Sequence, residues 1–317
     1  MGNADRAGRF GAVVTAMVTP FEDDGSLDID GAVRLSRWLT GHGSDALVIA
    51  GTTGEGAALS DAEMSDLWRA VSQTVTVPVV AGTGTSDTRH SMELTRMATE
   101  AGVAGILLVT PYYNRPSQQG IFEHFAAVAS VTELPVMLYD IPARTGRKIS
   151  SDTMLRLARS LPNIVGVKDA AGDVVASARL VADAPAGFEL YSGDDHFTLP
   201  LLSVGAVGAV SVASHWIGDE IGEMISAFRS GDVERARNLN ASLADLVAFQ
   251  SSETNPNPIP AKAMCRALGL PAGQCRLPMG VAPKELEEDA RRLLAAAGKE
   301  PSSANAGPGE AAVRQLG

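Results

Sequence analysis

Eight times before Arg229 the chain passes from a short apolar run into a longer amphipathic one. The apolar runs cover residues 12–21, 46–52, 77–83, 105–111, 135–141, 164–168, 188–192 and 206–213. The amphipathic runs cover 29–41, 60–75, 88–101, 118–131, 151–161, 174–182, 197–204 and 219–229. Apolar runs without polar alternation suit strands buried on both faces, which is how parallel strands sit, and helical segments between them supply the crossovers. Eight such units is the number that closes a (β/α)8 TIM barrel. A doubly wound open sheet is the alternative, and the even spacing of the units speaks for closure. Ser60 followed by Glu63 has the spacing of a capping box, and Asp87 or Ser151 can start a helix in the same way.

Beyond the eighth unit, residues 232–249, 260–268 and 283–297 predict a C-terminal three-helix extension, broken by Asn255-Pro256-Asn257-Pro258 and Leu270-Pro271-Ala272-Gly273. The expected organisation is a flexible N-terminus at 1–10, the barrel at 11–231, the helical extension at 232–298 and a disordered tail at 299–317, rich in Pro, Ser, Ala and Gly. Net charge is −11, from 26 basic and 37 acidic residues. That balance, with no Lys/Arg run longer than two, argues against nucleic acid and against an anionic membrane surface as partners. Residues 1–10 are polar and charged, and no apolar run approaches a membrane span, so a cytoplasmic protein without a signal peptide is expected. Cys265 and Cys275 have neither CxxC nor zinc spacing; two structural thiols are expected, with a disulfide left open.

In an α/β barrel the C-terminal strand ends converge on one mouth, where catalysis sits. Here those ends carry Gly51-Thr52-Thr53-Gly54-Glu55, Pro111-Tyr112-Tyr113-Asn114, Tyr139 to Gly146, Lys168, Ser192-Gly193-Asp194-Asp195 and Val210-Ser211. Lys168 ends the run Ile164-Val165-Gly166-Val167. Burial disfavours an ammonium and lowers its pKa, and a neutral amine attacks carbonyls to form Schiff bases. On its own, a lysine at a strand exit can equally keep its head in water or pair with an acid. Thr52 and Thr53 lie in a tight turn whose N–H groups and hydroxyls can hold a carboxylate. Tyr139 can move protons, Arg144 offers a planar fork for a carboxylate, and Gly193 permits close approach of backbone to a ligand. Gly82-Thr83-Gly84 is an incomplete dinucleotide fingerprint, and the five histidines show no metal spacing, so neither a dinucleotide nor a metal is expected.

Gly51-Thr52-Thr53-Gly54-Glu55, Pro111-Tyr112-Tyr113-Asn114, Tyr139 through Gly146, Gly166-Val167-Lys168-Asp169 and Asn257-Pro258-Ile259-Pro260 together resemble the dihydrodipicolinate synthase / N-acetylneuraminate lyase family of class I aldolases, over about residues 11–297. The resemblance implies condensation of pyruvate with aspartate semialdehyde, the entry to diaminopimelate and lysine biosynthesis, with no cofactor beyond the covalent Schiff base on Lys168. Carried over by position, Lys168 matches the nucleophile and Tyr139 the acid/base tyrosine. Thr53 and Tyr113 match its partners in a proton relay, Tyr113 reaching across a subunit interface. Thr52 and Thr53 match the holders of the pyruvate carboxylate, Arg144 the holder of the semialdehyde carboxylate, and Gly193 and Val210 the lining of the pyruvate pocket. A homotetramer built of tight dimers is implied as well.

Some positions depart from the family pattern. Gly56 stands where many members carry Ser, and Asp140 where many carry Asn. Lysine-inhibited members place Asn and Glu where this chain has Ser86 and His90, and often His where it has Asp61 and Met64, so weak or absent lysine feedback is expected. Two rival functions remain at this point: a sister aldolase acting on a sugar acid or another aldehyde, and a non-catalytic barrel that binds 2-oxo acids.

Overall fold

A computed structural model describes residues 8–299 of the chain. Eight strands close in chain order into a parallel barrel: β1 (Val13–Ala16), β2 (Ala46–Ile49), β3 (Val79–Gly82), β4 (Gly105–Val109), β5 (Val136–Asp140), β6 (Ile164–Asp169), β7 (Glu189–Ser192) and β8 (Gly208–Ser211), with β8 back on β1. All but the first residue of β7 and the last residues of β3 and β4 are buried, so each strand meets side chains on both faces. Helices α1 (Ile29–Thr40), α2 (Asp61–Ser72), α3 (Thr88–Glu100), α4 (Gln118–Ala129), the short α5 (Pro142–Thr145), α6 (Ser151–Ser160), α7 (Val174–Asp183), α8 (Thr198–Leu202) and α9 (Ser214–Arg229) form the outer layer.

The helix starts follow from local chemistry. Ser60 and Glu63 make the reciprocal capping box, and Asp28, Asp87, Ser117, Ser150 and Asp173 each accept a first-turn N–H. Two cores result. Residues such as Leu47, Ile49, Val79, Leu138 and Val167 face outward against Trp68, Leu94, Phe125 and Trp216 on the helices. Val14, Ala16, Val48, Val80, Leu107, Met137, Tyr139, Tyr191 and Val210 fill the barrel, floored by Phe10. That floor is tied down: the Arg9 N–H donates to Glu189 Oε2 at 2.8 Å and the Phe10 N–H to Tyr191 Oη at 3.1 Å. Gly8, Arg9 and Phe10 are therefore part of the barrel, while the rest of the expected flexible N-terminus, 1–7, and of the expected tail, 300–317, lie outside the described residues.

Past the barrel come α10 (Val233–Ser242), α11 (Ala244–Ala248), α12 (Ile259–Ala267) and α13 (Lys284–Ala296). The first of the three helices expected here steps at Leu243, giving α10 and α11. Every residue of α12 from Ile259 to Cys265 is buried, so this helix lies inside the molecule. The Trp216 indole N–H on α9 donates to Leu246 O at 3.2 Å and ties the extension to the barrel. Both cysteines are buried free thiols. Among the described residues no helix is long and apolar enough to cross a membrane.

Candidate active site

Tyr139 on β5 and Lys168 on β6 are register partners, and so are their successors Asp140 and Asp169. Strand alternation sends the first pair into the barrel mouth and the second pair outward toward the helices. Gly166, two residues before the lysine, has no substitute: a Cβ there would stand 2.3 Å from Glu189 O. Lys168 is only 4% exposed, and its Nζ lies 4.3 Å from the centroid of the Tyr139 ring. Burial lowers the lysine pKa to about 8, with the nearby Arg144 charge adding to the effect and Asp195 and Asp194 opposing it. Near pH 7 on the order of a tenth of this amine is neutral, far more than for an ordinary lysine. Tyr139 is pushed the other way, to about 12, mainly by burial, with Arg144 and a hydrogen bond to Thr52 opposing. It therefore stays a phenol, able to donate and accept a proton.

The other expected residues fall around this pair. Gly193 packs its backbone on the lysine stem, where a Cβ would stand 2.9 Å from Lys168 Cγ. Val210 lies in the barrel interior beside Val14, its partner on β1. Arg144, on α5, reaches far enough for its charge to act on both Tyr139 and Lys168. The two threonines exchange one expected role. Thr53 is buried and its hydroxyl accepts the Asn257 side-chain N–H at 3.0 Å, whereas Tyr139 pairs with Thr52. The hydroxyl paired with Tyr139 is therefore that of Thr52, while Thr53, the expected relay partner, is engaged by Asn257.

Tyr113 does not join the site within one chain. It is 93% exposed and sits in a left-handed conformation, φ +72°, which is an outlier for a bulky residue. The loop around it is held firmly. The Asn114 side chain donates to Ser86 O at 3.0 Å, Arg115 Nε to Gly146 O at 3.0 Å, and Arg147 to Arg115 O at 2.9 Å. The phenol is thus held outward by a strained, well-anchored loop.

Two further groups were named in the sequence reading without a role at the site. Asp195 is buried behind β8, where its Oδ2 accepts the N–H groups of Val212 and Ala213 at 2.9 and 3.0 Å, and it is the acid that acts most strongly on Lys168. Asn257 touches Thr53 with its side chain and Arg144 with its carbonyl. A run of prolines flagged its loop, but no local pattern could show which strand ends it would meet. At the outer side of the mouth, His90 Nε2 and Asp61 Oδ1 are 2.9 Å apart.

A closed parallel barrel with a buried, easily neutralised lysine beside a phenol at its mouth defines a lyase of the class I aldolase kind. The dihydrodipicolinate synthetase family model matches residues 9–297, and the chain belongs to that family. It is 50% identical over 295 residues to the 4-hydroxy-tetrahydrodipicolinate synthase of Acidothermus cellulolyticus, covering 92% of this chain and 94% of the relative. The enzyme of the same name from Moorella thermoacetica is 48% identical over 282 residues, covering 88% and 96%. Among solved structures, the DHDPS of Cyanidioschyzon merolae with lysine bound superimposes with a TM-score of 0.89 at 44% identity, over 92% of this chain and 99% of that one.

Proposed function

We propose that the protein catalyses the 4-hydroxy-tetrahydrodipicolinate synthase reaction, condensing pyruvate with L-aspartate 4-semialdehyde through a Schiff base on Lys168. The observation that carries this reading is the burial of Lys168 against the Tyr139 ring, which places an amine of lowered pKa beside the Tyr139–Thr52 hydroxyls and within reach of the Arg144 charge.

The neutral Nζ attacks the pyruvate carbonyl carbon. The carbinolamine oxygen leaves as water, giving an iminium. That iminium is an electron sink, so a methyl proton departs and an enamine forms without metal or cofactor. The enamine carbon adds to the aldehyde, whose oxygen takes a proton. The amine of the added unit then attacks the imine carbon, closing the ring and releasing Lys168. Each step moves a proton, which is the use of a phenol paired with a hydroxyl beside the amine. Tyr139 and Thr52 serve that role, completed by Tyr113 from a second copy. Thr52 and Thr53 hold the pyruvate carboxylate, Gly193 and Val210 line its pocket, and Arg144 holds the carboxylate of the aldehyde. The assembly that suits an outward Tyr113 is a homotetramer of tight dimers, working in the cytoplasm with these two small molecules as its only partners.

The assay that tests the substrate choice offers pyruvate with aspartate semialdehyde, and in parallel offers 2-keto-3-deoxy sugar acids for cleavage. Turnover with the semialdehyde, at least a hundredfold above any sugar acid in kcat/KM, is expected. Preferential cleavage of a sugar acid would move the protein to a sister aldolase.

A further inference from the structure

Three contacts run from the C-terminal extension to the segment between β2 and α2, and none is needed to close the barrel. Asn257 is buried just ahead of α12. Its side-chain N–H donates to Thr53 Oγ1 at 3.0 Å, and its carbonyl accepts from the Arg144 guanidinium at 3.0 Å. One residue thus touches both carboxylate-holding groups, from 204 and 113 positions away in the sequence. Its Oδ1 is buried without a hydrogen-bond partner, so the contact with Thr53 is what orients the amide.

The second contact is an ion pair. Lys262 and Glu55 have side chains 1% and 3% exposed, with Nζ 2.6 Å from Oε1. Lys262 also donates to Gln274 O at 2.9 Å and lies 4.1 Å above the Phe21 ring. Glu55 Oε2 accepts the Arg276 N–H at 2.8 Å. Glu55 itself is left-handed, φ +56°, a conformation that surroundings must impose on a residue with a side chain. The third contact is Arg276, whose guanidinium donates to Ala58 O at 2.9 Å and to Glu63 Oε1 at 2.5 Å.

Stability alone is a poor reason for the Glu55–Lys262 pair, because well-packed apolar residues commonly replace a buried ion pair without loss. What the pair supplies is direction: it fixes residue 55, and with it the turn that aims Thr52 and Thr53. We infer that the C-terminal extension is a working part of the active site, in which Asn257 and the Glu55–Lys262 pair are positioning residues that hold Thr52 and Thr53 in the geometry that receives the pyruvate carboxylate. The inference rests on the Schiff-base reading given above.

The test uses the full chain and two variants, Asn257→Ala and the isosteric double variant Glu55→Gln/Lys262→Met. The readouts are the pyruvate concentration that gives half-maximal borohydride trapping, KM for the semialdehyde, and the thermal midpoint. Asn257→Ala is expected to raise the half-trapping concentration about tenfold, the effect of one lost orienting hydrogen bond. Its semialdehyde KM and midpoint should change little, since the backbone carbonyl still meets Arg144. The double variant is expected to keep its midpoint and still need several times more pyruvate. Half-trapping within about twofold of the parent in Asn257→Ala overturns the inference whatever the double variant does. A lowered midpoint with unchanged pyruvate dependence assigns these groups a structural role only and overturns it equally. If the parent itself cannot be trapped, the Schiff-base reading fails, and this inference falls with it.

Discussion

Burial does the chemical work at Lys168. Taking the ammonium out of water brings its pKa to about 8, and Arg144 pushes the same way while Asp195 and Asp194 pull back. The amine is the reactive form, so the trapping rate with pyruvate should rise with pH and level off above about 8. Stopped-time borohydride quenching across that range checks it; a rate independent of pH contradicts it. Asp140, directly after Tyr139, shows the opposite case. Its carboxyl is fully buried, its Oδ1 accepts the Ile149 N–H at 3.0 Å, and Oδ2 has no partner. Burial, reinforced by Asp169, raises its pKa to about 7. The folded protein thus binds a proton that the unfolded chain has lost, and stability falls as pH rises from about 4 to about 7. Asp140→Asn should raise the thermal midpoint by several degrees at pH 8, and the gain should shrink toward pH 5. An equal effect at both pH values would show that ionisation at this site is not what matters.

At the scale of elements, the positions where the chain is apolar on both faces were legible, and so was the eightfold count. The strand ends were less so. The run 46–52 stops as a strand at Ile49 because Ala50 is left-handed and turns the chain into the catalytic loop. Helix α9 starts at Ser214, five residues before its amphipathic pattern becomes visible, because non-helical geometry at Ile217 kinks its first turn. The short α5 that carries Arg144 has no period to read. Strand-end residues such as Lys168, Tyr139 and Gly193 were recoverable because a barrel gathers its strand ends. Asn257 stood in a family motif without a role and Lys262 in none, because nothing local encodes a contact made across 200 residues. The capping box of α2 carries a load of its own. Hydrogen bonding to Arg276, with help from Ser60, brings the Glu63 pKa down to about 2. That interaction stabilises the fold above the unfolded carboxyl pKa and is lost as pH falls through about 2. Glu63→Gln should therefore lower the denaturant midpoint at pH 7, with the difference from the parent closing below about pH 3. A deficit that persists unchanged in acid would place its origin elsewhere.

For the whole molecule, the outward Tyr113 is the feature on which the proposed assembly rests. Sedimentation velocity should give a mass that is a multiple of one chain, and Tyr113→Phe should lower kcat by about a hundredfold, the scale of one proton-transfer group, while leaving pyruvate trapping intact. A fully active monomer would contradict the assembly. The resemblance puts Ser86 and His90, the latter 2.9 Å from Asp61, where lysine-inhibited members carry Asn and Glu; assays with added lysine should show no inhibition below the millimolar range. The catalytic expectations depend on one covalent event. Mass spectrometry after borohydride reduction in pyruvate measures it directly. The account predicts one reduced pyruvyl adduct per chain, mapped to the peptide that carries Lys168 and absent from Lys168→Ala. An adduct on another lysine, or none in the parent, would contradict it.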